Sequence, residues 1–501
     1  MANTYSWLIT FLVYDNIWYD RLQKDKKNYI PLSKQKADLY ASILKLQLTD
    51  AIKIVFVEAN IDIFENVLEI KLKSPNNNLP DETLQTIDGT AILSNEDSLV
   101  FILNHIKQKH TADHHMIVTL GHGSVFGINL YSEKKDSNNP PVLTKDILAN
   151  QFPINNISKS LEERFKKSQK IAASMKPESV FTVDISKVLD IKNTKWNEHT
   201  EIKGLDVKIP ELEITVLTVN EIGSALKRVF KEKPVDIFVF DNCLMQNLFT
   251  QYHLQGCVTY LVAPESGISY PGFNYAKIID MISHGGTTPA DIKLYANSFV
   301  KTEIIEAHEV YQQFKDDIQE RWCLNTVCLE NINYSTIKSL LGKFVTEMSL
   351  LLNSNNEDIS YEILNILNDT DQQLFSYSMH SLPDIKVIDL RICIQFFETY
   401  LSSNQKLALV KQNLLLATRA LIKALAAIEV ASFVGSRFYP TDVAYADKKD
   451  QIGLAFLFPL EPINDKFVKL LFNATKESIY SQELLYDTGF KDMIARILDL
   501  N

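Results

Sequence analysis

Cysteine is scarce in this chain: five residues in 501, namely Cys243, Cys257, Cys323, Cys328 and Cys393. An odd, sparse set in a long chain excludes a disulfide framework as the basis of the fold. Cys323 and Cys328 lie five apart, with no second pair or nearby His to complete a zinc site. Basic charge is also short, since the formal net charge is −11. Nucleic acid is therefore not expected as a partner, because phosphate binding calls for a basic footprint. Long apolar runs are missing too. Trp7 to Tyr14 falls short of the roughly 20 residues that a membrane span needs, and the apolar stretch near 413–434 is interrupted by Arg419, Lys423 and Glu429. No membrane association is expected. The start, MANTYSW, carries no basic residue and does not read as a targeting segment. The expected setting is cytoplasmic, or secreted if a signal peptide preceded this numbering. Internal repeats and extended low-complexity tracts are absent.

What remains is an ordinary globular composition, 46% hydrophobic and 23% charged. Length alone suggests two to four domains, or one large domain with appendages. Short, fully apolar runs alternate with helical patterns. SWLITFLVYDN (6–16) and AIKIVFVEA (51–59) read as buried strands, with a helix around 34–48 between them. EDSLVFILNHIKQKH (96–110) has apolar residues at helical spacing and leads into a strand, His115 to Leu120. NEIGSALKRVF (220–230) is a helix before the strand that delivers Cys243, and CVTYLVAPES (257–266) is a further strand. This alternation predicts an α/β fold with a mostly parallel sheet covered on both faces.

Residues 1–300 are expected to form the core, with a long, less regular insert at about 127–210. Residues 301–501 are expected to be a mostly helical region completing or flanking it. VKQNLLLATRALIKALAAIEVA (410–431) is the clearest helix, and IGLAFLFPL (452–460) reads as a strand.

Three strands end in chemically capable residues, Asp15, His122 and Cys243. In an open α/β sheet the C-terminal strand ends share one edge, where sites are built. His122 stands between two glycines in Gly121-His122-Gly123. By itself such a His is a metal ligand, a turn residue or a general base. Cys243 by itself is more often a core residue. Together at strand ends they suggest a nucleophile and its base. The backbone N–H groups of Gly123 and Cys243, both in turns after strands, are candidates for an oxyanion hole. Asp241 lies two residues before Cys243, on the same face if the strand continues.

HMIVTLGHGSVFGIN (115–129) and FVFDNCLMQN (238–247) resemble the clostripain family of cysteine peptidases, of the caspase-like clan. That family places its His in a strand-end His-Gly turn and its Cys in an Asp-x-Cys-Leu-Met pattern, matched by Asp241-Asn242-Cys243-Leu244-Met245. LITFLVYDN, LTVNEIGSAL, LVAPESGISYPGFNY and IGLAFLFP resemble further parts of it. The likeness spans most of the chain, and its specificity lies in the His and Cys motifs together.

The resemblance implies a caspase-like fold and a cysteine endopeptidase with His122 and Cys243 as its catalytic pair. It implies Gly123 and Cys243 as oxyanion donors, and Asp241 selecting Arg or Lys at P1 of peptide or protein substrates. The alternative for Asp241 is a turn cap. Members of the family mature by cleavage between the His and Cys parts. The basic stretch with Arg164, Lys166, Lys167, Lys170 and Lys176 would offer such a cut, or is simply a solvated helix face. No cofactor is expected; some relatives use calcium, but no EF-hand-type loop is present. The chain departs from the family pattern at Asn242, where a small residue is usual, at Gln246, where glycine is common, and at Pro264. The loop Ser266 to Asn274 has no acid. The competing readings are a catalytically silent relative that binds through its cleft, and an intracellular effector switched on by an activator partner.

Overall fold

The computed structural model describes residues 5–14, 32–61, 68–73, 82–84, 96–124, 127–133, 212–265, 268, 271–313, 323–352, 377–378, 385–403, 412–434 and 455–459. The first strands are β1 (Tyr5–Tyr14), β2 (Ile52–Ile61), β3 (Leu68–Lys73), β4 (Glu82–Leu84) and β5 (Ala112–Leu120). Next, β6 (Gly123–Ser124), β7 (Gly127–Glu133) and β8 (Leu212–Thr218) form a small antiparallel sheet. Then come β9 (Val235–Asp241), β10 (Val258–Pro264) and β11 (Cys323–Cys328). Last are β12 (Tyr377–Ser378), β13 (Ile385–Asp389), β14 (Glu429–Val434) and β15 (Ala455–Pro459).

Nine strands make the central sheet, in the order β14-β11-β10-β9-β5-β1-β2-β3-β4. The five in the middle, β10, β9, β5, β1 and β2, are mutually parallel. Antiparallel strands extend both edges. The expected α/β architecture, a mostly parallel sheet flanked by helices, is the one the chain adopts.

The middle strands are largely apolar because both faces are covered. All seven residues of β9 are buried. Its side chains alternate, Phe238 and Phe240 entering one core layer and Ile237 and Val239 the other. Each such burial contributes about 1.5–3 kcal/mol. The first layer is covered by α2 (Glu96–Lys109), α3 (Val219–Val229) and the later helices α7 (Tyr334–Leu352), α8 (Leu390–Ser403) and α9 (Gln412–Ala426). The second is covered by α1 (Leu32–Leu44), α5 (Tyr275–His284) and α6 (Pro289–Ser298). The short helix α4 (Leu248–Leu254) follows the Cys243 turn. No described helix is long and apolar enough to cross a membrane.

Two differences from the sequence reading concern the C-terminal half. The helix expected over 410–431 ends at Ala426, and Glu429–Val434 is a strand that pairs antiparallel with β11. Helical spacing holds only to Leu425. Beyond it the β-branched and aromatic residues of EVASFV suit a sheet edge, and the open edge of β11 supplies partners for their backbone groups. Hence residues after 300 contribute strands β11 and β14 to the sheet as well as helices. The strand read near 452–460 is present as β15, but it pairs with β13 in a separate three-stranded sheet.

Candidate active site

The parallel register brings three strand ends into one row. Val13 of β1 stands opposite Leu120 of β5, and Leu120 opposite Asp241 of β9. The turns that follow β5 and β9 are therefore neighbours. One is Gly121-His122-Gly123 and the other is Asn242-Cys243-Leu244. Their backbones touch: Gly121 N–H donates to the Asp241 carbonyl at 3.3 Å. A Cβ added to Gly123 would stand 2.7 Å from Asn242 Cβ and 2.7 Å from the Cys243 carbonyl oxygen. Such separations are not tolerated between carbon atoms, so only glycine lets the two turns approach this closely. The structure thus brings together the His122, Gly123, Asp241 and Cys243 segments picked from the sequence. The end of β1 is also at this edge, but Asp15 lies outside the described residues, as does most of the 127–210 segment.

Cys243 is partly exposed and unpaired, as a nucleophile must be. Its Sγ accepts the Ile268 N–H at 3.4 Å and lies 3.8 Å from the Ile268 carbonyl. Burial pushes the thiol above its ordinary value, with Asp241 adding to the rise, against the N–H contacts from Ile268 and from Cys243 itself. Burial pulls the His122 imidazole down to about 4. Both shifts favour the neutral forms, so at pH 7 the resting site holds a thiol and a neutral imidazole rather than an ion pair.

Leu244, immediately after the thiol, has φ +63°. A left-handed Leu is uncommon and costs free energy, so the surroundings must hold it. Asn247 does so: its Nδ2 donates to the Leu244 carbonyl at 3.0 Å while its Oδ1 caps α4 through the Thr250 N–H at 2.9 Å. Gln246 N–H, hydrogen-bonded to the Pro264 carbonyl at 2.8 Å, ties the same turn to the end of β10.

Asp241 is 3% exposed. Its Oδ2 accepts from the Tyr275 hydroxyl at 2.8 Å, and its carboxyl also receives the Phe273 N–H. A Cβ on Gly272 would come within 2.6 Å of Oδ2. Burial pushes this carboxyl up to about 7, and the two hydrogen bonds only partly offset the rise. The phenol of Tyr275 is in turn raised by burial and by the adjoining carboxylate.

Sequence reasoning missed Tyr275, Leu244, Thr119 and Ile268 as parts of this site. Thr119 Oγ1 donates to Asn242 Oδ1 at 2.6 Å. Asn242 itself is fully buried, and its Nδ2 finds no partner among the described residues. Leaving such a donor unmade costs about 1–3 kcal/mol. No local pattern marks any of these residues; only the departure at Asn242 from the small residue usual in the resembling family hinted at something particular there. Among the described residues no three of His, Cys, Asp or Glu gather as metal ligands.

Residues 210–437 match the model of the clostripain family. The matched span holds Asp241, Asn242 and Cys243 and leaves out His122. A comparison with curated proteins gave no significant match. Among solved structures, the chain is similar to an inactive zymogen C11 protease from Parabacteroides distasonis, with 11% identity, a TM-score of 0.42 and 99% of each chain covered. It is also similar to a secreted C11 cysteine protease of Bacteroides thetaiotaomicron called iotapain, at 11% identity and a TM-score of 0.41, covering 86% of this chain and 87% of that one. A secreted C11 cysteine protease from the same organism in complex with an irreversible peptide inhibitor matches at 12% identity and a TM-score of 0.41, over 85% and 84%. At these TM-scores the fold rests on its own sheet and not on the likeness. The stretch that carries β9 and the Cys243 turn, residues 210–437, is thus similar to the clostripain family of peptidases.

Proposed function

We propose that this protein is a cysteine endopeptidase in which Cys243 is the nucleophile and His122 its acid and base, cleaving after Arg or Lys. The observation that carries the reading is the contact between the two turns. Gly123 packs on Asn242 and on the Cys243 carbonyl, so the turn that carries His122 adjoins the turn that carries the partly exposed Cys243.

In the proposed reaction the thiol proton passes to His122 as Sγ attacks the scissile carbonyl carbon. The carbonyl π pair moves onto oxygen, where the N–H groups of Gly123 and Cys243 would hold the oxyanion. The tetrahedral species collapses, the C–N bond breaks, and His122 returns the proton to the leaving amine. Water, deprotonated by the same imidazole, then hydrolyses the thioester and frees the thiol. A neutral resting imidazole suits this sequence, because it is ready to accept the first proton.

Basic specificity rests on Asp241, two residues before the thiol. A guanidinium or ammonium arriving there would be a charge partner for a carboxyl that titrates near 7, and would draw it into the ionised form. The Tyr275 hydroxyl and the Phe273 N–H hold the carboxyl in one orientation for that contact. Self-processing within 127–210 is part of the same proposal. The ladder from Gly127↔Thr218 to Glu133↔Leu212 would keep the two parts of a cut chain together.

The test is hydrolysis of fluorogenic peptides ending in Arg, Lys, Asp or Ala, with and without calcium, beside Cys243→Ala. Intact mass is recorded on the same samples. Cleavage after Arg and Lys that disappears in the variant is expected. Hydrolysis that survives Cys243→Ala removes the nucleophile assignment, and cleavage only after other residues removes the role of Asp241.

A further inference from the structure

We infer that Asn242 is a positioning residue that sets the spacing between the Cys243 thiol and the His122 imidazole, through its side-chain hydrogen bond to Thr119. The inference rests on the dyad proposed above and adds a residue that neither turn motif calls for.

Four observations converge on it. First, the register places Tyr14, Gly121 and Asn242 side by side, one step beyond the paired residues Val13, Leu120 and Asp241. Gly121 leaves the room that the Asn242 amide uses: a Cβ there would lie 3.6 Å from Nδ2 and 3.1 Å from Tyr14 Cβ. Second, a Cβ on Gly123 would lie 2.7 Å from Asn242 Cβ. The Asn242 side chain thus meets both glycines that flank His122, its amide at Gly121 and its Cβ at Gly123. Third, Thr119 Oγ1 reaches the Asn242 amide at 2.6 Å, and Thr119 is on β5, three residues before His122. The bond links the strand that carries the imidazole to the residue that precedes the thiol. Fourth, the link is buried, with Thr119 1% exposed and Asn242 fully enclosed, so water does not compete for it.

Packing alone does not account for this side chain. An apolar residue of similar volume would fill the space without leaving Nδ2 unmatched. The amide does what an apolar side chain cannot, which is to fix the Asn242 backbone against β5 in one orientation. Cys243 is then held from both sides. Asn242 anchors it toward β5, and the Asn247 bond to the Leu244 carbonyl anchors it toward α4.

The consequence is specific to proton delivery. A slackened Asn242 lets the thiol turn shift against β5, so the acyl group that the thiol carries no longer presents its leaving group squarely to the imidazole. Amide hydrolysis needs that proton on its leaving amine. An activated ester, whose leaving group departs as an anion, does not. The experiment uses the full chain with Asn242→Ala, Thr119→Val and Thr119→Ser. Each is assayed on a peptide amide and on an activated aryl ester of the same acyl part, with the iodoacetamide rate of Cys243 and the melting temperature measured alongside.

The expected result for Asn242→Ala and Thr119→Val is a fall in kcat on the amide of about tenfold to hundredfold, with KM little changed. The ester rate falls by less than the amide rate, since the ester still needs the first proton transfer to His122 but not the second, and the alkylation rate stays within about threefold, as expected when the thiol itself is intact. Thr119→Ser keeps the hydroxyl and restores the amide rate. The double variant loses no more than either single one, because both remove the same bond. Equal losses on ester and amide, or no loss on either, overturn the inference. If Asn242→Ala does not fold, the Thr119→Val and Thr119→Ser pair decides alone. Hydrolysis that survives Cys243→Ala would instead sink the dyad itself, whatever Asn242 does.

Discussion

Tyr275→Phe is the sharpest probe of the acid beside the thiol. The phenol donates to Asp241 Oδ2 at 2.8 Å in a buried setting, and nothing else about the substitution alters volume much. A hydrogen bond to a charged group is worth about 1.5–3 kcal/mol. At 1.36 kcal/mol per pKa unit, losing it should raise the Asp241 pKa by about 1–2 units. The carboxyl, already pushed up to about 7 by burial, would then titrate near 8 or 9. Only the ionised form is a partner for a basic P1 side chain. The ratio of kcat/KM for an Arg substrate over an Ala substrate should therefore rise with pH in the parent protein, with a midpoint near 7. In Tyr275→Phe the same rise should move up by about 1–2 units, while the Ala substrate alone shows no matching change. Taking a ratio cancels the titration of His122 and Cys243, which both substrates share. A ratio that stays flat between about pH 6 and 9, or a midpoint that ignores the loss of the phenol, would refute the claim that Asp241 reads the P1 charge.

The resting site also predicts its own reactivity. With the thiol raised and the imidazole lowered to about 4, the rate of iodoacetamide attack on Cys243 should climb steadily through neutral pH toward the alkaline side; a plateau already reached at pH 6 would mean a preformed thiolate and contradict the neutral pair. Away from the site, Glu221 sits buried at the start of α3, hydrogen-bonded to Thr218, with burial raising its carboxyl to about 8. Because its folded pKa lies above the unfolded one, the proton it retains stabilises the fold fully below the carboxylate range, and that contribution is lost as pH rises through 8. Glu221→Gln keeps an acceptor for the Thr218 N–H and should flatten the fall in melting temperature between pH 5 and 8; an unchanged slope would place the pH dependence elsewhere.

The middle strands of the sheet were legible because each is an apolar run bounded by polar residues. Such a run has few places to go except between two layers of helices. The helices α2 and α3 were legible for the matching reason, since their apolar residues recur at a spacing that makes one face. These are short-range signals. They fail where the next residues depend on a distant partner, as at Glu429–Val434, which becomes a strand because the edge of β11 is open to it. The order of the strands, the antiparallel edges and the pairing of β15 with β13 are likewise set by which surfaces remain to be covered.

The site divides along the same line. A His between glycines and a Cys after an apolar strand could be picked out from residue types and from resemblance as candidates for one site, and so could the acid two positions before the thiol. The sequence by itself determined which groups are available and that each stands at the end of a buried strand. What surrounds them was decided by tertiary structure. Tyr275 reaches Asp241 across 34 positions, and Thr119 reaches Asn242 across 123. Leu244 takes its left-handed turn because Asn247 and the end of β10 hold the backbone there. Hydrogen bonds of this kind depend on register, and register is settled only when both faces of the sheet are packed. Burial, which raises the thiol and Asp241 and lowers the imidazole, is likewise a property of the assembled layers.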